Sequence, residues 1–118
     1  MNIDALVSQL NHRPDTVEFS EVIAVIEALY DYTPTRFTNG LEQNQVVNDA
    51  GSNEGSCKLF AFAQDQNFTK EQTLSCFGHH YRDAVLQHPA GNDRTNIRTF
   101  MTYGWEGIQF ERFPLIKK

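Results

Sequence analysis

Residues 55–64, GSCKLFAFAQ, constrain the fold more than any other stretch of the chain. Cys57, Leu59, Phe60, Ala61, Phe62 and Ala63 leave almost no polar side. A helix that is apolar all round has to be enclosed by other elements. The run follows Ala50-Gly51-Ser52-Asn53-Glu54-Gly55, a polar loop rich in glycine. Ser56 is a residue type that caps helix N-termini. The sequence therefore predicts a buried central helix over 56–66, with the rest of one domain, 1–118, wrapped around it. At 118 residues the chain is of single-domain size and can enclose one core without staples.

The flanking segments supply what encloses it. Ile3, Leu6, Val7 and Leu10 recur at helical spacing and predict a first helix over 2–11, which Pro14 stops. Phe19, Val22, Ile23, Ile26, Leu29 and Tyr30 predict a second, capped by Thr16, running to Asp31 before Thr33-Pro34. The helical period then disappears. Arg36-Phe37-Thr38 alternates ahead of an Asn39-Gly40 turn, and residues 45–48 offer a second short strand. After the central helix, Thr69 and Gln72 match a capping box opening a helix to Gln87, with Gly78 inside it as a point of close packing against the central helix. A last helix is expected over 93–103, ended by Gly104, then an alternating strand at 107–111 able to pair with the segment around Phe37. The fold class is α+β and predominantly α-helical. About five helices surround the buried one with a two- or three-stranded antiparallel sheet, in the order ααββααα then β.

Charge narrows the partners. Ten basic residues against fifteen acidic ones give a formal charge of −5, and the basic residues are scattered. Nucleic-acid binding needs a clustered basic face, and a polybasic membrane patch needs a run, so neither partner is expected. No window approaches the roughly 20 apolar residues of a bilayer span. No basic segment followed by an apolar one begins the chain, so a Sec-type leader is not expected either. Cys57 and Cys76 are expected as buried reduced thiols of a cytoplasmic protein, without a disulfide.

Four places in the chain carry chemistry worth weighing. Residues Asn53, Glu54, Gly55, Ser56 and Lys58 surround a helix start, where free N–H groups and the positive dipole end can hold an anion or ligand. The spacing is not that of a phosphate-binding P-loop, because Lys58 follows Cys57 and not a glycine. Cys57, read as lying at the first position of that helix, is a candidate thiolate nucleophile with His12, His79, His80 or His88 as base. Against that, a thiol opening an apolar helix also packs as a small hydrophobe. Cys76 and His80 stand four apart, as do His79 and Asp83. On one helix such a pair could begin a metal site, but further ligands would have to come from Glu54 or His88. Finally, Asn96, Arg98, Tyr103, Trp105 and Glu106 collect near the C-terminal turn, with Trp105 expected as a core lid. Arg82, Asp83, Asp93, Arg94 and Arg98 are expected as an ion-pair cluster between the last two helices.

Five segments resemble the HopJ type III effector family: EVIAVIEALYDYTPTRFTNG (21–40), AGSNEGSCKLFAFA (50–63), FGHHYRDAVL (77–86), PAGNDRTNIRTFM (89–101) and YGWEGIQFE (103–111). The resemblance covers 19–110, and NEGSCK with FAFA and the GW-G turn are its most specific parts. It implies a short single domain of a family named for proteins delivered into host cells by a type III apparatus. It implies no cofactor and no catalytic residue that could be carried over. The expected function is contact with a protein partner not identified by the sequence, either in a host cell or as a resident of the cytoplasm. The alternative is a small enzyme with Cys57 as nucleophile, or a helix-borne metal site at Cys76 and His80.

Overall fold

In the computed structural model, which describes residues 2–118, the chain is built outward from α3 (Glu54–Asp65). All the apolar residues of its run, from Cys57 to Ala63, are at most 1% exposed. Phe60 is the hub. Its ring lies 6.2 Å from Phe37, 5.4 Å from Phe77, 5.0 Å from Phe100 and 6.4 Å from Trp105. Phe62 binds the opposite side, 5.9 Å from Tyr30 and 5.8 Å from Phe68. Offset and edge-to-face pairs of this kind stabilise a core beyond their area alone.

The helix opens two residues early. Asn53, not Ser56, is its N-cap, with φ 52°, a left-handed conformation that asparagine adopts more readily than most residues. Ser56 is consequently third in the helix and caps nothing.

α1 (Ile3–His12) is capped by the Asn2 side chain, which accepts from the Ala5 N–H at 2.8 Å. α2 (Phe19–Leu29) begins later than Thr16, because the Thr16 hydroxyl donates to the Arg13 carbonyl and closes a 3-10 turn at Pro14–Thr16 instead. It also ends two residues before Asp31, where the chain extends into β1 (Tyr30–Tyr32).

β2 (Phe37–Asn39) is the centre of a three-stranded antiparallel sheet ordered β3-β2-β4. β3 (Val46–Asn48) pairs Phe37 with Asn48 and Asn39 with Val46, and β4 (Gln109–Phe110) pairs Phe37 with Phe110. The expected pairing of the last strand with Phe37 is present, but Gly107 belongs to a 3-10 turn at Gly104–Gly107. A Cβ there would lie 2.6 Å from the Gly40 nitrogen. Glycine lets the two turns touch, and Gly40 N–H donates to the Gly107 carbonyl at 3.1 Å. A second sheet was not expected: β1 pairs with β5 (Leu115–Lys117), Tyr30 opposite Lys117 and Tyr32 opposite Leu115.

The helix expected to run from the capping box to Gln87 is broken. Thr69 and Gln72 do form the box, at 3.1 and 2.9 Å. α4 (Lys70–Ser75) and α5 (His79–Arg82) are then separated by Gly78 at φ +60°. A Cβ on Gly78 would stand 2.8 Å from the Phe19 nitrogen and 3.1 Å from the Val17 carbonyl oxygen. Its close contact is therefore with the start of α2, not with α3. α6 (Thr95–Tyr103) ends at Gly104, φ +62°. Trp105 lids the core, donating to the Phe68 carbonyl at 2.9 Å.

Candidate functional site

β3, α5 and the starts of α3 and α6 enclose an open cavity of about 630 Å³, a size in the range of small-molecule sites. Its apolar side is Phe19, Val46, Val47, Phe77 and Ile97; its polar side is Asn48, Asn53, Ser56, His80, Arg94 and Asn96.

The polar wall is fixed from behind by asparagines. The Asn48 and Asn96 amides exchange hydrogen bonds, Asn48 Nδ2 to Asn96 Oδ1 at 3.1 Å and Asn96 Nδ2 to Asn48 Oδ1 at 2.9 Å. Asn39 Nδ2 donates to Asn96 Oδ1 at 3.1 Å and to the Asn96 carbonyl at 2.8 Å. Asn53 Nδ2 completes the chain at Asn48 Oδ1, 2.7 Å. Asn39, Asn48 and Asn96 are all buried, and Asn39 Oδ1 has no partner among the described residues. Buried amides tolerate one geometry, because any other leaves donors or acceptors unpaired at about 1–3 kcal/mol each. The network therefore locks β2, β3 and α6 together behind the cavity.

The aromatic side is equally ordered. The Phe19 ring stacks on Phe77 at 5.9 Å with 6° between planes, and meets the His80 ring edge-on at 5.3 Å. Gly55 makes room for it, since a Cβ there would lie 2.9 Å from the tip of Phe19. Arg94 Nε donates to His80 Nδ1 at 3.2 Å. That bond makes Nδ1 the acceptor, so a neutral His80 carries its proton on Nε2. Burial first, then the neighbouring His79 and Arg94, hold the His80 pKa below its ordinary value.

A match to the family described as HopJ type III effector protein spans residues 3–115. The chain belongs to the HopJ family. A crystal structure described as that of an unknown function protein, VPA0580, superposes with a TM-score of 0.93 at 49% identity, over 100% of this chain and 95% of that one. No curated protein matches. In this HopJ chain Asn53, Gly55 and Ser56 of the NEGS segment form the rim of the cavity at the start of α3, whereas the GW-G turn is structural, touching Gly40 and covering Phe60.

The cavity collects some of the residues singled out in the sequence and leaves others elsewhere. Asn53, Gly55, Ser56 and His80 line it, as do Arg94 and Asn96, which the sequence assigns to an ion-pair cluster and to the C-terminal turn. Lys58 does not. Its ammonium lies 3.4 Å from Glu27 and 4.8 Å from the centre of the Tyr32 ring, beside a separate depression of about 190 Å³. Glu54, half-buried, lies near Tyr32 and Cys57 and disfavours the ionisation of both.

Cys57 is the fourth residue of α3, not the first, and is 1% exposed. Burial, with the Glu54 carboxylate adding, pushes its thiol up to about 11. Cys76 is fully buried and its thiol is pushed up to about 12. The break at Gly78 removes the continuous helix on which Cys76 and His80 were to stand. No three His, Cys, Asp or Glu residues among those described are grouped to hold a metal ion.

The expected ionic cluster is present in part, Asp93 pairing with Arg94 at 3.6 Å as well as with Arg98, while Arg82 turns elsewhere. Arg82 reaches Glu18 at 2.9 Å and the Val17 carbonyl at 2.8 Å, while Arg98 binds Asp93 at 2.8 Å and the His88 carbonyl at 2.9 Å. Asn39 and Asn48 escaped sequence reasoning. Asparagine is depleted inside strands, and two of them in short strands facing α6 were the available signal.

Proposed function

We propose that this HopJ protein acts by non-covalent recognition, with the cavity between β3, α3, α5 and α6 as its ligand site. One observation carries the reading: a cavity of about 630 Å³ with an apolar floor on one side and, on the other, polar groups braced by a buried asparagine network. Few precisely held polar groups over an apolar floor are what ligand sites present. Thiolate catalysis has less support, since a nucleophile needs access and a lowered pKa, and Cys57 is buried with its pKa raised.

The test is an amide-resolved NMR screen with mixtures of small ligands. Shifts confined to Gly55, Ser56, Thr95 and Asn96 support the cavity. Shifts elsewhere, or none, overturn it.

Family membership supports a second step, delivery through a type III apparatus and contact with a host protein. Ile116, 67% exposed on β5, and Leu29, 38% exposed beside it, offer apolar surface for such contact. A translocation-reporter fusion decides between effector and resident. Signal in host cells that needs the apparatus supports the effector; signal retained in the producing cell makes the chain a cytoplasmic resident. No helix among the described residues is long and apolar enough to cross a membrane.

A further inference from the structure

Resting on the reading of the cavity as a ligand site, we infer that its ligand is a small phosphate monoester with a flat or apolar body, its phosphate held by Arg94, His80 and the polar rim. The composition of the lining points there first. The chain carries fifteen acidic residues against ten basic ones, yet the cavity is lined by Arg94 and His80 and by no aspartate or glutamate. A random sample of this surface would be acidic. The charge on that wall is the Arg94 guanidinium, since the lowered pKa of His80 keeps its ring neutral, and a guanidinium facing a cavity without carboxylates concentrates anionic ligands.

Arg94 itself is the second observation. It occupies the N-cap of α6 with φ 52°. The left-handed conformation is strained for a non-glycine residue. A guanidinium cannot accept the hydrogen bond that an N-cap usually accepts, and its charge stands at the positive end of the helix dipole. That charge is met in part by Asp93, whose Oδ2 lies 3.6 Å from Arg94 Nη1, and an anion beside Arg94 would add to this and accept from the uncapped N–H groups. His80 Nε2–H adds a neutral donor, oriented by the bond its Nδ1 takes from Arg94 at 3.2 Å.

The rim supplies the remaining donors. Neither α3 nor α6 has a side chain capping its first turn, so the N–H groups of Gly55, Ser56, Thr95 and Asn96 are left for solvent or ligand. The Ser56 hydroxyl stands among them, and the Thr95 hydroxyl, which donates to the Asn92 carbonyl at 3.5 Å, lies beside it on the rim. Donors arriving from α3, α5 and α6 suit a tetrahedral phosphate better than a planar carboxylate. Behind them, Phe19, Phe77 and Ile97 offer a surface for the ester's organic part.

The experiment titrates the protein with inorganic phosphate, phenyl phosphate, benzoate and benzyl alcohol, following amide shifts. The expected result is saturable movement of Gly55, Ser56, Thr95 and Asn96 with phenyl phosphate, weaker with inorganic phosphate. In Arg94→Gln, whose fold is checked by amide dispersion, phenyl phosphate should bind about tenfold more weakly. His80→Gln is a second variant expected to weaken binding. If benzyl alcohol moves the same amides as well as phenyl phosphate does, or benzoate binds more tightly, the phosphate assignment is overturned while the cavity remains a ligand site. If phenyl phosphate binds equally well to both variants, the assignment is also overturned. If none of the four moves these amides, the phosphate assignment falls, and the broader mixture screen then decides on the cavity alone.

Discussion

Cys57 and Cys76 sit in the core with thiols pushed up to about 11 and about 12, and burial on that scale disfavours the thiolate of either at neutral pH. At a pKa of about 11, roughly one thiol in a thousand is ionised at pH 8, against about a quarter for an ordinary free thiol near 8.5. Burial adds a barrier to access. Both cysteines are therefore expected to resist iodoacetamide in the folded protein, at least about a hundredfold more than free cysteine, and to react fully in denaturant. Mass spectrometry of the labelled chain checks this. Rapid labelling of Cys57 alone would restore it as a nucleophile candidate. His80 gives the complementary pH prediction. Its folded pKa is lowered by burial, by the His79 ring 4.2 Å away and by Arg94, with Glu18 opposing. The unfolded chain takes up the proton first, near the ordinary 6.5, so stability is fully present above that pH and falls as pH drops through the folded value. Lowering the pH from 7.5 to 5.5 should lower Tm more in the native protein than in His80→Gln. An equal drop in the two would mean that His80 is not the titrating group.

At the scale of elements, the break between α4 and α5 decides the shape of the cavity, because it turns His80 toward Phe19. Gly78 enforces the break, with φ +60° and the backbone of Phe19 2.8 Å from where a Cβ would be. Gly78→Ala should cost on the order of 2–3 kcal/mol or more. Gly51 is the control: its φ is +89°, but nothing lies within 4 Å of its absent Cβ. Gly51→Ala should therefore cost only about 1 kcal/mol, the backbone term alone. Urea denaturation midpoints compare the two, and equal losses would show that the packing of Gly78 on α2 is unimportant. This break also marks where sequence reasoning stops. The capping box at Thr69 and the apolar period after it were local and legible, and so was the all-round apolar character of α3. A glycine within an apolar period reads the same whether the helix passes through it or breaks, because what decides is the approach of Val17 and Phe19 from sixty residues upstream. The cavity was legible in the same partial way. A glycine-rich loop running into a helix identified Asn53, Gly55 and Ser56. The approach of Arg94 and Asn96 depends on how α6 docks, and the asparagines of β2 and β3 look like loop residues until their buried partners are known.

At the scale of the whole molecule, the cavity and the chain's closure belong to different sheets. The three-stranded sheet carries Asn39 and Asn48 behind the cavity, whereas β1 and β5 join the end of α2 to the C-terminal segment. Three-residue strands carry no usable period, and their partners lie more than eighty positions apart, so nothing local announces this sheet. Its anchor is Leu115, 5% exposed, opposite Tyr32, with the Thr33 N–H bonded to the Pro114 carbonyl at 2.9 Å. Truncating a buried leucine to alanine typically costs about 2–5 kcal/mol, and a site near the chain end can relax, so Leu115→Ala should cost about 2–3 kcal/mol in urea denaturation. Small domains hold about 5–15 kcal/mol in all, so the variant should remain folded. Because no residue of β5 lines the cavity, the amides of Ser56, Thr95 and Asn96 should keep their native shifts in Leu115→Ala. Movement of those amides as large as that around Tyr32 would show that the two sheets are coupled through α3. In that case closure of the chain end would tune the cavity and not merely stabilise the fold.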